Sequence, residues 1–231
     1  MNTRMDSNAS SRGDATRNTL IKTAIIIFGR DGFDAASTRA ISQVAGVNLA
    51  LISYHFGGKS GLYIAALQHI ADSISARIAP LLDAIEGELG SVAEAEVNGV
   101  APKRALELLC SVTDTLVQVM TSDESADWAR LILREQQFPS DGFDLLYHGF
   151  MRRVFANLAR LARIVRHGEI GEEELKLCVV TIMGQVLVFR AARATIMREL
   201  DWRRFSAGRI ELIKARLRSN IAAMLATEQP S

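Results

Sequence analysis

Apolar positions recur every three to four residues from Thr16 almost to the end of the chain, and no segment alternates strictly as a strand with one exposed face would. The pattern predicts an all-α protein of about nine helices. Leu20, Ile21, Ala24, Ile27 and Phe28 give the first helix one apolar face, and Gly32 stops it. Ser37 suits the N-cap of a short second helix in which Ile41, Val44 and Ala45 share a face. Gly46 stands where a helix ends in the left-handed conformation, Val47 can plug the corner, and Asn48 can cap a third helix. That helix, Leu49 to Tyr54, is short, because His55-Phe56-Gly57-Gly58 breaks the pattern. Two short helices about a glycine turn form the arrangement that sets a second helix into the major groove of DNA.

Beyond Lys59-Ser60-Gly61 the apolar face of a fourth helix continues past Pro80, long enough to act as a lever. Gly87 to Pro102 reads as a loop or boundary, and helical runs follow over Lys103–Met120, Ser125–Gln137 and Gly142–Arg166. Glu172–Glu199 is apolar on more than one face, and Ser206–Ala226 carries a seam at 3–4 spacing. These two runs predict a four-helix bundle with a second subunit, through Val179, Ile182 and Val186 on one helix and Ile210, Ile213, Leu217, Ile221 and Met224 on the other. The alternative is that the same residues form a single subunit's own core.

Thr38-Arg39, Ala45-Gly46-Val47 and Tyr54-His55-Phe56-Gly57-Gly58-Lys59 followed by Leu62 resemble the DNA-binding domain of TetR-family transcriptional regulators. The chain departs from that pattern at Ala50 and Ser53, where many members carry Gly and Tyr. A second resemblance joins Arg134-Glu135-Gln136, Phe143-Asp144-Leu145-Leu146-Tyr147, Gly184 to Arg190 and Asp201-Trp202 to the C-terminal domain of the CecR-like (YbiH-like) branch of that family. Residues 1–15, polar and without periodicity, read as a disordered or loose arm, and the resemblances imply a three-helix helix-turn-helix domain over 16–63 and a larger helical effector-binding and dimerisation domain over 64–228. They also imply a homodimeric repressor that leaves a palindromic double-stranded DNA operator when a small molecule binds. The rival from another class is a helical scaffold protein whose helix-turn-helix does not bind DNA.

Charge adds a little to this picture. Residues 1–60 hold seven Lys/Arg against four Asp, a balance of +3 within a chain of net +1, so the remainder carries −2. The positive potential sits with the helix-turn-helix. Thr38 and Arg39 suit phosphates at a helix N-terminus, and Arg39 could instead reach a guanine edge. Asn48, Ser53, Tyr54, His55 and Lys59 are donors spaced along the recognition helix and its exit, and by resemblance they grip the backbone. Leu49 and Ala50 offer apolar contact that fits thymine methyls. The alternative for Tyr54 and His55 is packing on the fourth helix.

A small apolar or amphipathic effector would need a mostly apolar pocket with a few polar groups. Trp128, Arg134, Glu135, Tyr147, His148, Gln185, Phe189 and Arg190 interrupt the apolar runs and are the candidates to line it; for each the alternative is an ordinary core or structural role. Catalysis has no support: Gly58-Lys59-Ser60 lacks the preceding glycine and strand of a phosphate-binding loop, and no nucleophile motif is present. No cofactor is expected, nor a metal, because the four histidines include no i, i+4 pair. Cys110 and Cys178, each inside an apolar run, suit buried thiols in a reducing cytoplasm. No apolar stretch is long enough to predict a membrane span.

Overall fold

The computed structural model describes residues 3–90 and 99–226, with side chains from residue 13 onward. Among the described residues every regular element is a helix: α1 (Thr3–Ala35), α2 (Thr38–Ala45), α3 (Ala50–Phe56), α4 (Lys59–Leu89), α5 (Pro102–Thr121), α6 (Glu124–Gln137), α7 (Asp141–Leu146), a π turn (Tyr147–Met151), α8 (Arg152–Val165), α9 (Glu172–Ala191), α10 (Arg193–Glu199) and α11 (Ala207–Leu225). The all-α expectation holds. Helix α1 begins at Thr3, inside the stretch read as a loose arm, and the side chains of residues 1–12 lie outside the described residues. Half of the boundary read over Gly87–Pro102, residues 91–98, also lies outside them, while Gly87 to Leu89 still belong to α4 and Pro102 already opens α5. No single helix among the described residues is long and apolar enough to cross a membrane.

The chain divides into two compact units, residues 1–73 with 127–149, and residues 74–126 with 150–231. In the first, Leu20, Ile21, Ala24, Ile25, Ile27 and Phe28 of α1 are buried with Ile41 of α2, Ile52 of α3 and Leu62, Ala66, Leu67 and Ile70 of α4. This core explains why helices as short as α2 and α3 persist, since neither could form alone. Gly32, at φ 82°, interrupts the helical backbone where the sequence places a stop, and Phe33 beyond it stacks near Phe28 with ring centroids 6.1 Å apart. The polar stretch around α6 and α7 belongs to this unit too. Gly142 of α7 and Gly149 of the π turn stand so close to α4 that an added Cβ would come within 2.2 Å of Leu67 and 2.9 Å of Ala71.

In the second unit α5 is the central helix, packed against α8, α9 and α11. Its Ala105, Leu109, Val112, Thr113, Leu116 and Val117 are buried, as are Leu158 and Leu161 of α8 and Leu175 of α9. Arg190 of α9, read as a possible pocket group, instead donates to the Met120 carbonyl at 2.7 Å, the Ser122 carbonyl and the Ser125 hydroxyl. These carbonyls lie at the C-terminal end of α5, which intrahelical bonds leave open. The run read as one helix over Glu172–Glu199 breaks at Ala192, where α9 and α10 meet at 78°.

The intersubunit seam needs correction. Val179, Ile182, Val186, Ile213, Leu217 and Ile221 are each no more than 4% exposed in a single chain, so they form that chain's own core; Ile210 and Met224 are half-buried. A 3–4 spacing identifies a buried face but not what buries it, and here α5 does. The opposite face of α9 is the open one: Leu177, Val180, Thr181, Gly184, Leu187 and Val188 are exposed at helical spacing. On α11 the matching stripe is Leu212, Ala215, Ser219 and Ala222, mostly small side chains. The two helices are tied side by side, with Asn220 donating to Gln185 at 3.1 Å.

Candidate nucleic-acid interface

Ser37 accepts from the Ala40 N–H at 3.0 Å and so caps α2 as the sequence suggests. Gly46 closes the helix at φ 68°, a left-handed conformation that costs a residue with a Cβ, and its N–H returns to Gln43. Asn48 then accepts from the Ala50 N–H at 2.8 Å through Oδ1, which satisfies one of the open donors of α3. At the far end Gly57, also left-handed, donates to the Ser53 carbonyl. The resulting α3 has one buried residue, Ile52 at 1% exposed, while Leu49, Ala50, Ser53 and Tyr54 face outward.

Tyr54 is 81% exposed, which removes the alternative that it packs on the fourth helix. His55 is half-buried beside it, ring centroids 4.9 Å apart, and lines a crevice of about 420 Å³ with Arg17, Gln68, His69 and Asp72. Arg39 and Asn48 are exposed and Thr38 is half-buried, so the helix-turn-helix presents a cation and several donors on its open side. Lys59 is engaged otherwise. Its ammonium donates to the Asp34 carbonyl at 3.0 Å and lies 4.7 Å over the Phe33 ring, a clasp between the start of α4 and the end of α1. Val44, counted with the core face of α2, is 72% exposed instead and adds to the outward surface with Leu49 and Tyr54. Its spacing from Ile41 permits either side on so short a helix, and nothing in the sequence separates the two.

The chain matches the family model of bacterial regulatory proteins of the TetR family over residues 20–66. It also matches the model of the C-terminal domain of the HTH-type transcriptional dual regulator CecR over residues 105–227, more than half its length. It belongs to the TetR family, with a CecR-type C-terminal domain. Among relatives, the HTH-type transcriptional dual regulator CecR of Shigella flexneri is 28% identical over 93% of both chains. The HTH-type transcriptional repressor NicS of Pseudomonas putida is 35% identical over 75 residues, 32% of this chain and 35% of its own. A Rhodococcus RHA1 regulatory protein of the TetR family shares the fold with a TM-score of 0.61 at 16% identity, covering 93% of this chain and 98% of that one.

This TetR-family chain is therefore a DNA-binding transcriptional regulator, not an enzyme. The residues proposed for its effector are divided between the two units. Trp128 is buried in the first unit, Tyr147 and His148 are exposed on the π turn, and Gln185 and Phe189 belong to α9 in the second unit. Arg134 and Glu135 line one cavity, in the first unit. Glu135 is 1% exposed, accepts from Tyr63 Oη–H and from the Ser140 N–H at 3.1 Å, and shares the Ser140 hydroxyl at 2.9 Å. Burial and this carboxylate together push the Tyr63 phenol above its ordinary range, so it stays protonated and donates.

Proposed function

We propose that the protein is a homodimeric repressor that holds a palindromic operator and is released by a small apolar or amphipathic effector. The observation that carries this reading is the open face of the helix-turn-helix, where Leu49, Ala50, Ser53 and Tyr54 stand free at and along the helix anchored by Ile52, beside the exposed Val44 of α2. Arg39 and Asn48, with Thr38 behind them, supply phosphate contacts, while Leu49 and Ala50 meet base edges. Lys59 acts mainly by holding α4 to α1, and His55 orients Tyr54.

Dimerisation uses the outward stripe of α9 and α11 rather than their inward seam. Leu177, Val180, Leu187 and Val188 supply the apolar area, while Gly184 and the alanines and serine of α11 allow close helix approach. A dimer on a palindromic operator needs its two copies of α3 about one turn of DNA apart, about 34–36 Å or a small multiple. An effector that binds only the form with the wrong separation lowers operator affinity by its preference between the forms. A reducing cytoplasm suits the free thiols of Cys110 and Cys178, both raised above their ordinary pKa by burial and therefore poor nucleophiles.

The test is fluorescence anisotropy with DNA from around the protein's own gene at several salt concentrations. A steep fall of affinity with salt supports the reading. Absent or salt-insensitive binding overturns it.

A further inference from the structure

We propose that the first unit carries a site for an organic ammonium ion, between the end of α1, the start of α4 and the α6–α7 connection. The cavity there measures about 710 Å³, within the roughly 300–1,000 Å³ range of small-molecule pockets. Its walls combine three aromatic rings, Phe33, Tyr63 and Phe138, with the carboxylates of Asp31, Asp34, Glu135 and Asp141. The facing cation in the lining is Arg134. Arg30, outside the lining, pairs with Asp31 at 2.6 Å, which leaves three acids, Asp34, Glu135 and Asp141, against Arg134 and the nearby Lys59. Lys59 approaches from the α4 side, its ammonium donating to the Asp34 carbonyl at 3.0 Å and covering one face of the Phe33 ring, so Tyr63 and Phe138 are the rings left for a ligand.

Glu135 is the decisive group. Its carboxylate is almost wholly buried, and the hydrogen bonds it accepts come from neutral donors: Tyr63 Oη–H, the Ser140 N–H and the Ser140 hydroxyl. Among the described residues no Lys, Arg or His forms an ion pair with it. Arg134 lies against Gly32 at the same wall, its Nη2 2.1 Å from where a Cβ on Gly32 would stand, and makes no ion pair with Glu135. A buried carboxylate that no ion pair touches is unfavourable, and a cation entering the cavity would relieve that cost.

The existing hydrogen bonds also select the kind of cation. Both oxygens of Glu135 already accept from Ser140, and one accepts from Tyr63 as well, so little capacity remains for an N–H donor. A quaternary ammonium, which has no N–H and is attracted to aromatic faces, fits better than a primary amine. Phe138 is 74% exposed at the rim. A large apolar ring left in water beside a cavity is well placed to fold over such a ligand.

The experiment is isothermal titration of the full chain with benzyltrimethylammonium, with benzyl alcohol and benzoate as neutral and anionic controls. Binding of one benzyltrimethylammonium per chain is expected, at least tenfold tighter than either control. Glu135→Gln should weaken it tenfold or more. Phe138→Ala, which changes an exposed side chain and leaves the thermal unfolding midpoint in place, should weaken it severalfold. No binding of the ammonium, equal or tighter binding of a control, or unaltered affinity in Phe138→Ala would each overturn the proposal. The measurement contains no DNA, so its outcome is independent of the operator and of the regulatory reading.

Discussion

Tyr54 and Ile52 sit two residues apart on α3 and answer to different physics. Tyr54 is free of the fold, so Tyr54→Ala should leave stability within about 0.5 kcal/mol of the parent while lowering operator affinity about tenfold. Chemical denaturation and anisotropy on the same samples check both halves. Ile52 is the buried anchor, and Ile52→Ala should cost about 2–5 kcal/mol and remove DNA binding as a consequence. Arg39→Ala should reduce the slope of log affinity against log salt by about 2 for a dimer, one phosphate per subunit. Gly61 is fixed by space: a Cβ there would lie 1.8 Å from the Phe56 carbonyl oxygen, so Gly61→Ala must shift the joint between α3 and α4. At this scale the sequence is informative about caps and turns, because Ser37, Gly46 and Asn48 act through their immediate neighbours. It is uninformative about Lys59, whose partners Asp34 and Phe33 are about 25 residues away and come near only once α1 and α4 pack.

Among the helices, α4 and α8 show a tie that a pH titration can expose. Glu86 accepts from Arg153 Nε at 2.9 Å and Nη2 at 2.6 Å and from Asn157 Nδ2 at 2.8 Å. Arg153 chiefly, helped by Asn157, holds the Glu86 carboxyl below its ordinary range despite partial burial. A depressed folded-state pKa contributes stability above the unfolded value and loses it as pH falls through the folded value. Glu86→Gln should therefore be less stable than the parent near neutrality, by about 1 kcal/mol for so exposed a pair. The two unfolding midpoints should converge in acid, and a gap that persists below the carboxylate range would contradict the assignment. Helix existence was legible because long runs of 3–4 spacing have one physical cause, burial of a face. The breaks at Ala192 and the π turn were not legible. Both lie inside apolar runs without Pro, and the π turn carries its signal in the contact of Gly149 with Ala71.

For the whole molecule the question is which faces are left for a second copy. The seam of Val179, Ile182, Val186, Ile213, Leu217 and Ile221 is occupied within the chain, whereas the stripe from Leu177 to Val188 is not. Sequence periodicity finds both faces of α9 but cannot rank them, because the ranking depends on where α5 lies. Leu187→Glu should convert a dimer to a monomer by sedimentation with little loss of helicity, and should weaken operator binding steeply. Ile182→Ala should instead lower the unfolding midpoint without changing the mass of the folded species. The central claim is that two copies of α3 read DNA at a fixed separation. It is tested most directly by selecting bound fragments from a random DNA pool and footprinting the enriched sites. Two inverted half-sites are expected, their centres about one helical turn or a small multiple apart, both protected together. Enrichment of a single half-site, or no enrichment at all, would contradict it.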